Sequence, residues 1–324
     1  MPKPRRQQIV LSETPYYHCV SRCVRRAFLC GEDKVTKKSF EHRRAWIEER
    51  LLFLSGVYTI DICSFAIMSN HSHIVVKINS ETAKNLDDIE VLSRWHKIHY
   101  GTHLTRQYCK DQKLDLELMS TLIATVNIYR KRLSDLSWFM RDLNEYIARL
   151  ANEEDKCTGR FWEGRFCSQP LLDDSALLAC MVYSDLNPIR SGLAANVETS
   201  DHTSIQQRVN AALQGKQPSC LLPFTGGESL KEANGINFEL QDYITLVDAT
   251  GRSIREDKTG YISQNEKDIL TKLGIEKENW VEITNNFEKH FKGAVGKESS
   301  LNTYLDNTQN KRRPNYHKVC KYFV

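Results

Sequence analysis

The hexapeptide Met68-Ser69-Asn70-His71-Ser72-His73 sits between two β-prone runs, Val57 to Ile67 and Ser72 to Ile78. Ser69-Asn70 is turn chemistry, so the runs read as strands joined by a tight turn. Side chains alternate across a strand, and residues i and i+2 share a face. His71 and His73 therefore point one way. Ser72, Ile74, Val76 and Ile78 point the other, and after Ser72 that face is apolar. Two imidazoles opposite a buried apolar face make a platform for a metal ion, because neutral imidazole is the commonest protein metal ligand. The same pattern also fits two histidines on a half-exposed strand that bind nothing.

At 324 residues the chain is long enough for one large domain or two ordinary ones. Its 40% hydrophobic and 27% charged residues are ordinary for a soluble globular protein. A net charge of +4 is mildly basic, which permits a nucleic-acid partner without requiring one. No apolar run has the length of a membrane span, so no membrane partner is expected. The basic start, Met1 to Arg6, is followed by no apolar h-region, so no secretory signal is expected and the cytoplasm is the expected compartment. Ten cysteines without a Cys-x-x-Cys read as reduced, structural thiols. Cys19, Cys23 and Cys30, with His18, fit no common zinc spacing.

Along the chain, residues 1–12 read as a basic arm and Tyr16 to Val20 as a first strand. Residues 37–54 form an amphipathic helix with Trp46, Ile47, Leu51 and Leu54 on its apolar side. Helix, strand, turn, strand after an opening strand begins an α+β sandwich with an antiparallel sheet. Helices are expected over 87–99, 115–131, 134–151, 174–186 and 203–213. The apolar stripe of the third is Leu136, Phe139, Met140, Leu143, Ile147 and Leu150. Residues 215–235 are rich in Gly, Pro and Ser and read as a linker. Beyond it, 236–324 reads as a small, mainly helical accessory region, with helices near 239–248, 265–273 and 277–292.

The block Gly159-Arg160-Phe161-Trp162-Glu163-Gly164-Arg165-Phe166 is the second strong feature. Arg160 and Arg165 have the chemistry for phosphate, Trp162 and its neighbours can stack on unpaired bases, and glycines let a backbone come close to a ligand. A β-hairpin with core aromatics and solvated arginines fits the composition equally. Arg22, Arg25 and Arg26 line either a phosphate path or a solvated loop.

Four segments carry a resemblance when taken in order: Tyr16-Tyr17-His18-Cys19-Val20-Ser21-Arg22, Ala66 to Val75, Gly159 to Phe166, and Leu186-Asn187-Pro188-Ile189-Arg190-Ser191-Gly192-Leu193. Over roughly residues 10–210 the chain resembles the single-tyrosine HUH transposases, the insertion-sequence-200-like group, and in particular the REP-associated tyrosine transposases of bacteria. The resemblance implies a ferredoxin-like antiparallel sheet with packed helices in 13–214. It implies that His71 and His73 hold Mg²⁺ or Mn²⁺ and that the substrate is single-stranded or hairpin DNA. A tyrosine on the helix before the Gly-Arg-aromatic block would attack phosphorus and form a 5′-phosphotyrosine link. Relatives are often dimers, so a homodimer and a nucleoid-associated location are expected.

One departure bears on chemistry. The expected tyrosine register, counted back from Gly159, falls on Leu150, and the helix carries its tyrosine at Tyr146. At the edge of the stripe, Tyr146 is either the attacking group or a structural residue. Tyr129 and Tyr183, on flanking helices, are further candidates. Asp142, Glu153 and Glu154 are candidates for a third metal ligand or members of a solvated face. Two functions follow: a metal-dependent DNA strand transferase, or a DNA-binding protein that keeps the fold and has lost the chemistry.

Overall fold

The computed structural model describes residues 8–24, 29–32, 37–110, 112, 114–226, 234–254, 269–271, 273–308 and 316–323. Arg25 and Arg26, expected on a phosphate path, lie outside the described residues.

Four strands, β1 (Tyr16–Arg22), β2 (Ile60–Ile67), β3 (His71–Ile78) and β4 (Cys167–Leu171), form one sheet in the order β2-β3-β1-β4. Every neighbouring pair is antiparallel. Helix α1 (His42–Ser55) joins β1 to β2. Helices α2 (Ser80–Asn85), α3 (Asp88–His96), α4 (His103–Tyr108), α5 (Leu116–Leu133) and α6 (Leu136–Glu154) join β3 to β4. This is the βαββαβ succession of an α+β sandwich, as the sequence suggests.

The β2–β3 turn forms where Ser69-Asn70 predicts it, with Met68 N–H donating to the His71 carbonyl at 2.9 Å. The expected alternation holds. Ser72, Ile74, Val76 and Ile78 are all buried on one face. That face packs on α1, α3, α5 and α6, and its core includes Tyr17, Cys19, Leu51, Phe139, Leu143 and Ile147. Asp135 caps α6 by accepting from the Ser137 and Trp138 amides, satisfying two otherwise orphaned donors.

The other face carries His18, His71, His73 and Val75. It is covered by α7 (Asp174–Asp185), which is buried on all sides after its first residue, as suits a helix with apolar residues all round. Short helices α8 (Asn187–Arg190) and α9 (Ser204–Ala212) follow, then α10 (Leu240–Ile254), α11 (Lys277–His290), α12 (Glu298–Thr308) and α13 (Tyr316–Tyr322). These last four share one core with α7: Tyr243, Leu246, Trp280, Ile283 and Phe287 pack with Leu178, Met181 and Val182. The region read as accessory is thus a wall of the same core.

Strand β4 has no expectation in the sequence reading, since Cys-Ser-Gln-Pro-Leu has little β-propensity. Its position explains it. It is an edge strand, where proline is tolerated. Its outer side is covered by a single parallel bridge to Val295, with Val295 N–H donating to Pro170 O at 3.0 Å and Leu172 N–H to Val295 O at 2.8 Å.

Candidate nucleic-acid and metal site

His71 and His73 lie on the same face of β3, their ring centroids 4.8 Å apart and nearly perpendicular. They differ in exposure. His71 is half-buried at the end of the strand, whereas His73 is fully buried. The antiparallel register sets Arg22 of β1 across from His71 and Val20 across from His73. His18, two residues further along β1, therefore shares this face, and its Nε2 lies 3.0 Å from His73 Nδ1. The two rings stack at 5.2 Å and 10°. Tyr183 of α7 stands edge-on to His73 at 5.5 Å, and Phe287 of α11 stands edge-on to His18 at 6.2 Å.

Burial dominates the electrostatics. It pushes the His71 imidazolium down to about 4, helped by the Arg22 guanidinium and by His18 and Arg190. Burial also drives His73 well below its ordinary value, with His71, His18 and the two arginines adding to it. His18 is lowered by burial too. All three rings are neutral at pH 7, the form that binds a metal. His71 Nδ1 is bonded to Asn70 Oδ1, and His73 Nδ1 to His18. His73 Nε2 is buried with no hydrogen-bond partner. Two imidazoles whose Nδ1 atoms are held and whose Nε2 atoms are not bonded to protein, among the described residues, fit a divalent ion. Mg²⁺ commonly takes few protein ligands and completes its shell with water and phosphate oxygens. Among the described residues no three His, Cys, Asp or Glu side chains converge as a metal set.

Beside His71 opens a cleft of about 500 Å³, lined by Arg22, Asn70, Gly164, Arg165 and Glu288 among others. Its far wall is the Gly159–Phe166 segment. That segment begins at Gly159, five residues after the end of α6, and the φ of +106° there suits a residue without Cβ. It is tied to the end of β1 by Val24 N–H to Phe161 O at 3.0 Å and Glu163 N–H to Arg22 O at 2.8 Å. Trp162 is an anchor: its indole N–H donates to Asn144 O at 2.7 Å, and its ring meets Phe161 edge-on. Arg165 is exposed and lines the cleft. Arg160 is exposed as well, its guanidinium 3.9 Å from where a Gly164 Cβ would stand. The block is not a regular hairpin. It positions one cleft arginine and holds a second close by.

The candidate nucleophile is not brought to this place. α6 packs on the opposite face of the sheet from the histidines. Tyr146 points away from that core, 41% exposed, with its ring under the Arg50 guanidinium of α1 at 4.5 Å. Of the two readings of Tyr146, its place beside Arg50, across the sheet from His71 and His73, is that of a surface residue of α6. The physical reason is the helix phase: the buried stripe centres between Leu143 and Ile147, which leaves Tyr146 about 80° off its centre and turned outward. Two of the three proposed third ligands are engaged elsewhere. Asp142 accepts from Tyr58 and from His99 Nε2 at 2.5 and 2.9 Å, Glu154 pairs with Arg43 at 2.7 Å, and Glu153 is exposed.

The residues the sequence reading missed are His18, Gln169 and Glu288. Period-two alternation from Arg22 back through Val20 to His18 marks the first. Nothing local marks Gln169 and Glu288, which arrive from β4 and α11. Tyr183, weighed only as a flanking candidate, packs against His73 on the histidine face. Its hydroxyl bonds to Glu288 and its ring lies under the Arg190 guanidinium at 4.3 Å. Arg190 in turn donates to Thr284 O, Tyr183 O and Asn187 Oδ1, which gives the Asn187-Pro188-Ile189-Arg190 segment a role in bracing α7 against α11.

No helix among the described residues is long and apolar enough to cross a membrane. No family model and no curated protein matches the chain. Among solved structures, a REP-associated tyrosine transposase bound to a REP hairpin is similar to it at 11% sequence identity, over 66% of this chain and 88% of that one, with a TM-score of 0.39.

Proposed function

We propose that the chain is a transposase-like DNA-binding protein that takes single-stranded or hairpin DNA in the cleft beside His71. One observation carries this reading. Arg22 and Arg165 line the same cleft as Asn70, next to an imidazole that is neutral at pH 7. Guanidinium groups bind phosphate bidentately, and each phosphate neutralised releases counterions. Glu163 and Glu288, on the same cleft, repel phosphate, so the backbone contacts are the Arg22 and Arg165 guanidiniums themselves.

His71 and His73 are the residues that would hold Mg²⁺ or Mn²⁺, through Nε2. When bound there, such an ion polarises a phosphodiester and offsets charge on a leaving oxygen. The chain's own part is orientation. Asn70 holds the His71 ring, His18 holds His73, and Tyr183 and Phe287 pack edge-on against the inner imidazoles.

The position of Tyr146 favours binding without self-cleavage by that residue. A second reading, cleavage and rejoining through a 5′-phosphotyrosine, is favoured by Tyr183 on the histidine face. The test is incubation of the purified chain with a labelled DNA hairpin bearing a single-stranded tail, in Mn²⁺, followed by a binding assay and denaturing electrophoresis. Binding without a covalent adduct is the expected result. An adduct mapped to Tyr183 by mass spectrometry would establish the second reading. Failure to bind would contradict both.

A further inference from the structure

We infer that Gln169 and His18 set the ring tautomer of His73, leaving its Nε2 as a bare lone pair. This rests on the reading of His71 and His73 as a metal pair. The relay starts at two backbone carbonyls of the C-terminal region. Gln169 Nε2 donates to Phe291 O and to Gly293 O, each at 2.8 Å. A carbonyl oxygen only accepts, so the amide nitrogen has to face that pair; a flipped amide would crowd three oxygens together. Gln169 Oε1 is thereby turned to His18 Nδ1 at 3.4 Å.

An amide oxygen also only accepts, so the proton on His18 sits at Nδ1. His18 is buried, and its two ring nitrogens meet an amide and an imidazole rather than a carboxylate. A buried imidazolium there would lack a compensating hydrogen-bonded charge. His18 is neutral, and its Nε2 accepts. The atom facing it at 3.0 Å is His73 Nδ1, which has to donate. One proton is then fixed on His73 Nδ1, and Nε2 carries a lone pair. The opposite tautomer would bury an N–H at Nε2 with no acceptor, since that atom has no partner.

The consequence is that the metal-facing form of His73 is imposed from the far edge of the sheet. Gln169 belongs to the edge strand β4, and the carbonyls that hold it belong to the turn after α11. His18 and Gln169 are positioning residues: they act on His73 and touch no substrate. The C-terminal region earns a place in the site by this route.

The test uses the full chain without metal. Long-range ¹H–¹⁵N correlation spectra of histidine-labelled protein at neutral pH report the protonated nitrogen of each ring. The expected result is a proton on Nδ1 of both His18 and His73. In Gln169→Met both rings should move to mixed tautomers, and Mn²⁺ affinity, read by electron paramagnetic resonance, should fall by about 10- to 100-fold. A wild-type His73 protonated at Nε2 overturns the relay, and so does a Gln169→Met variant with unchanged tautomers. The wild-type spectrum decides the matter even if the variant does not fold. Wild-type protein that binds no Mn²⁺ but shows the expected tautomers would refute the metal pair and leave the relay standing.

Discussion

Arg22 stands directly across from His71 in the β1–β3 register, so a guanidinium that lines the cleft also presses on the imidazole. Its positive charge is the second cause, after burial, of the low His71 pKa. Arg22→Ala should raise the His71 pKa above about 4, still short of its ordinary value because burial remains. An NMR pH titration of the His71 ring measures this. A value unchanged or lowered would contradict the pairing.

The neutral histidines make the fold sensitive to acid. A histidine whose folded pKa lies below its unfolded one contributes stability that is complete above the unfolded value and is lost as pH falls through the folded value. For His71 the window runs from 6.5 down to about 4, which amounts to about 3 kcal/mol. His18 and His73 act in the same direction. Asp185 opposes them. Burial raises its carboxyl to about 6, despite bonds from Ser204, Tyr243 and the Ile205 amide. Its charged form therefore weakens the fold above that pH, and acid relieves it. Thermal melts from about pH 7.5 to 4.5 should show a falling Tm, and Asp185→Asn should steepen the fall. A Tm that rises on acidification would contradict the neutral assignment.

Phe287 tests whether the C-terminal helices are part of the fold. It is fully buried and stacks on Tyr183 at 5.6 Å. Phe287→Ala should cost about 3–5 kcal/mol in chemical denaturation, through lost burial and the cavity left behind. A cost under about 1 kcal/mol would mean the region is an appendage.

Two tyrosines separate the catalytic readings. If an adduct forms, Tyr183→Phe should abolish it and Tyr146→Phe should leave it intact, because of these two Tyr183 packs against His73 and Tyr146 lies on the other side of the sheet. Loss of the adduct in Tyr146→Phe would require that residue to reach a histidine pair other than its own chain's.

Much of this was legible in the chain. The alternation of Ser72, Ile74, Val76 and Ile78 fixes which face His71 and His73 share, and the cap at Asp135 places α6. These are local signals, set by side-chain period and backbone donors. The phase of α6 was not legible to the needed degree. Counting the half-buried Leu150 into the stripe draws its centre toward Tyr146, whereas the buried Met140, Ile147 and Ala151 draw it away and leave Tyr146 in solvent. Strand β4 was hidden because its pairing comes from β1 and Val295 rather than from its own residues. Gln169 and Glu288 meet His18 and Tyr183 only through tertiary contacts across more than a hundred residues.

The most direct test compares the two faces of the sheet by titrating a fluorescent DNA hairpin with a single-stranded tail. Arg22→Ala/Arg165→Ala should weaken binding about tenfold or more and lower the salt slope by about two. Arg50→Ala, which alters the Tyr146 side, should bind as the wild type does. Wild-type affinity in the double variant, or loss confined to Arg50→Ala, would contradict placement of DNA in the cleft beside His71.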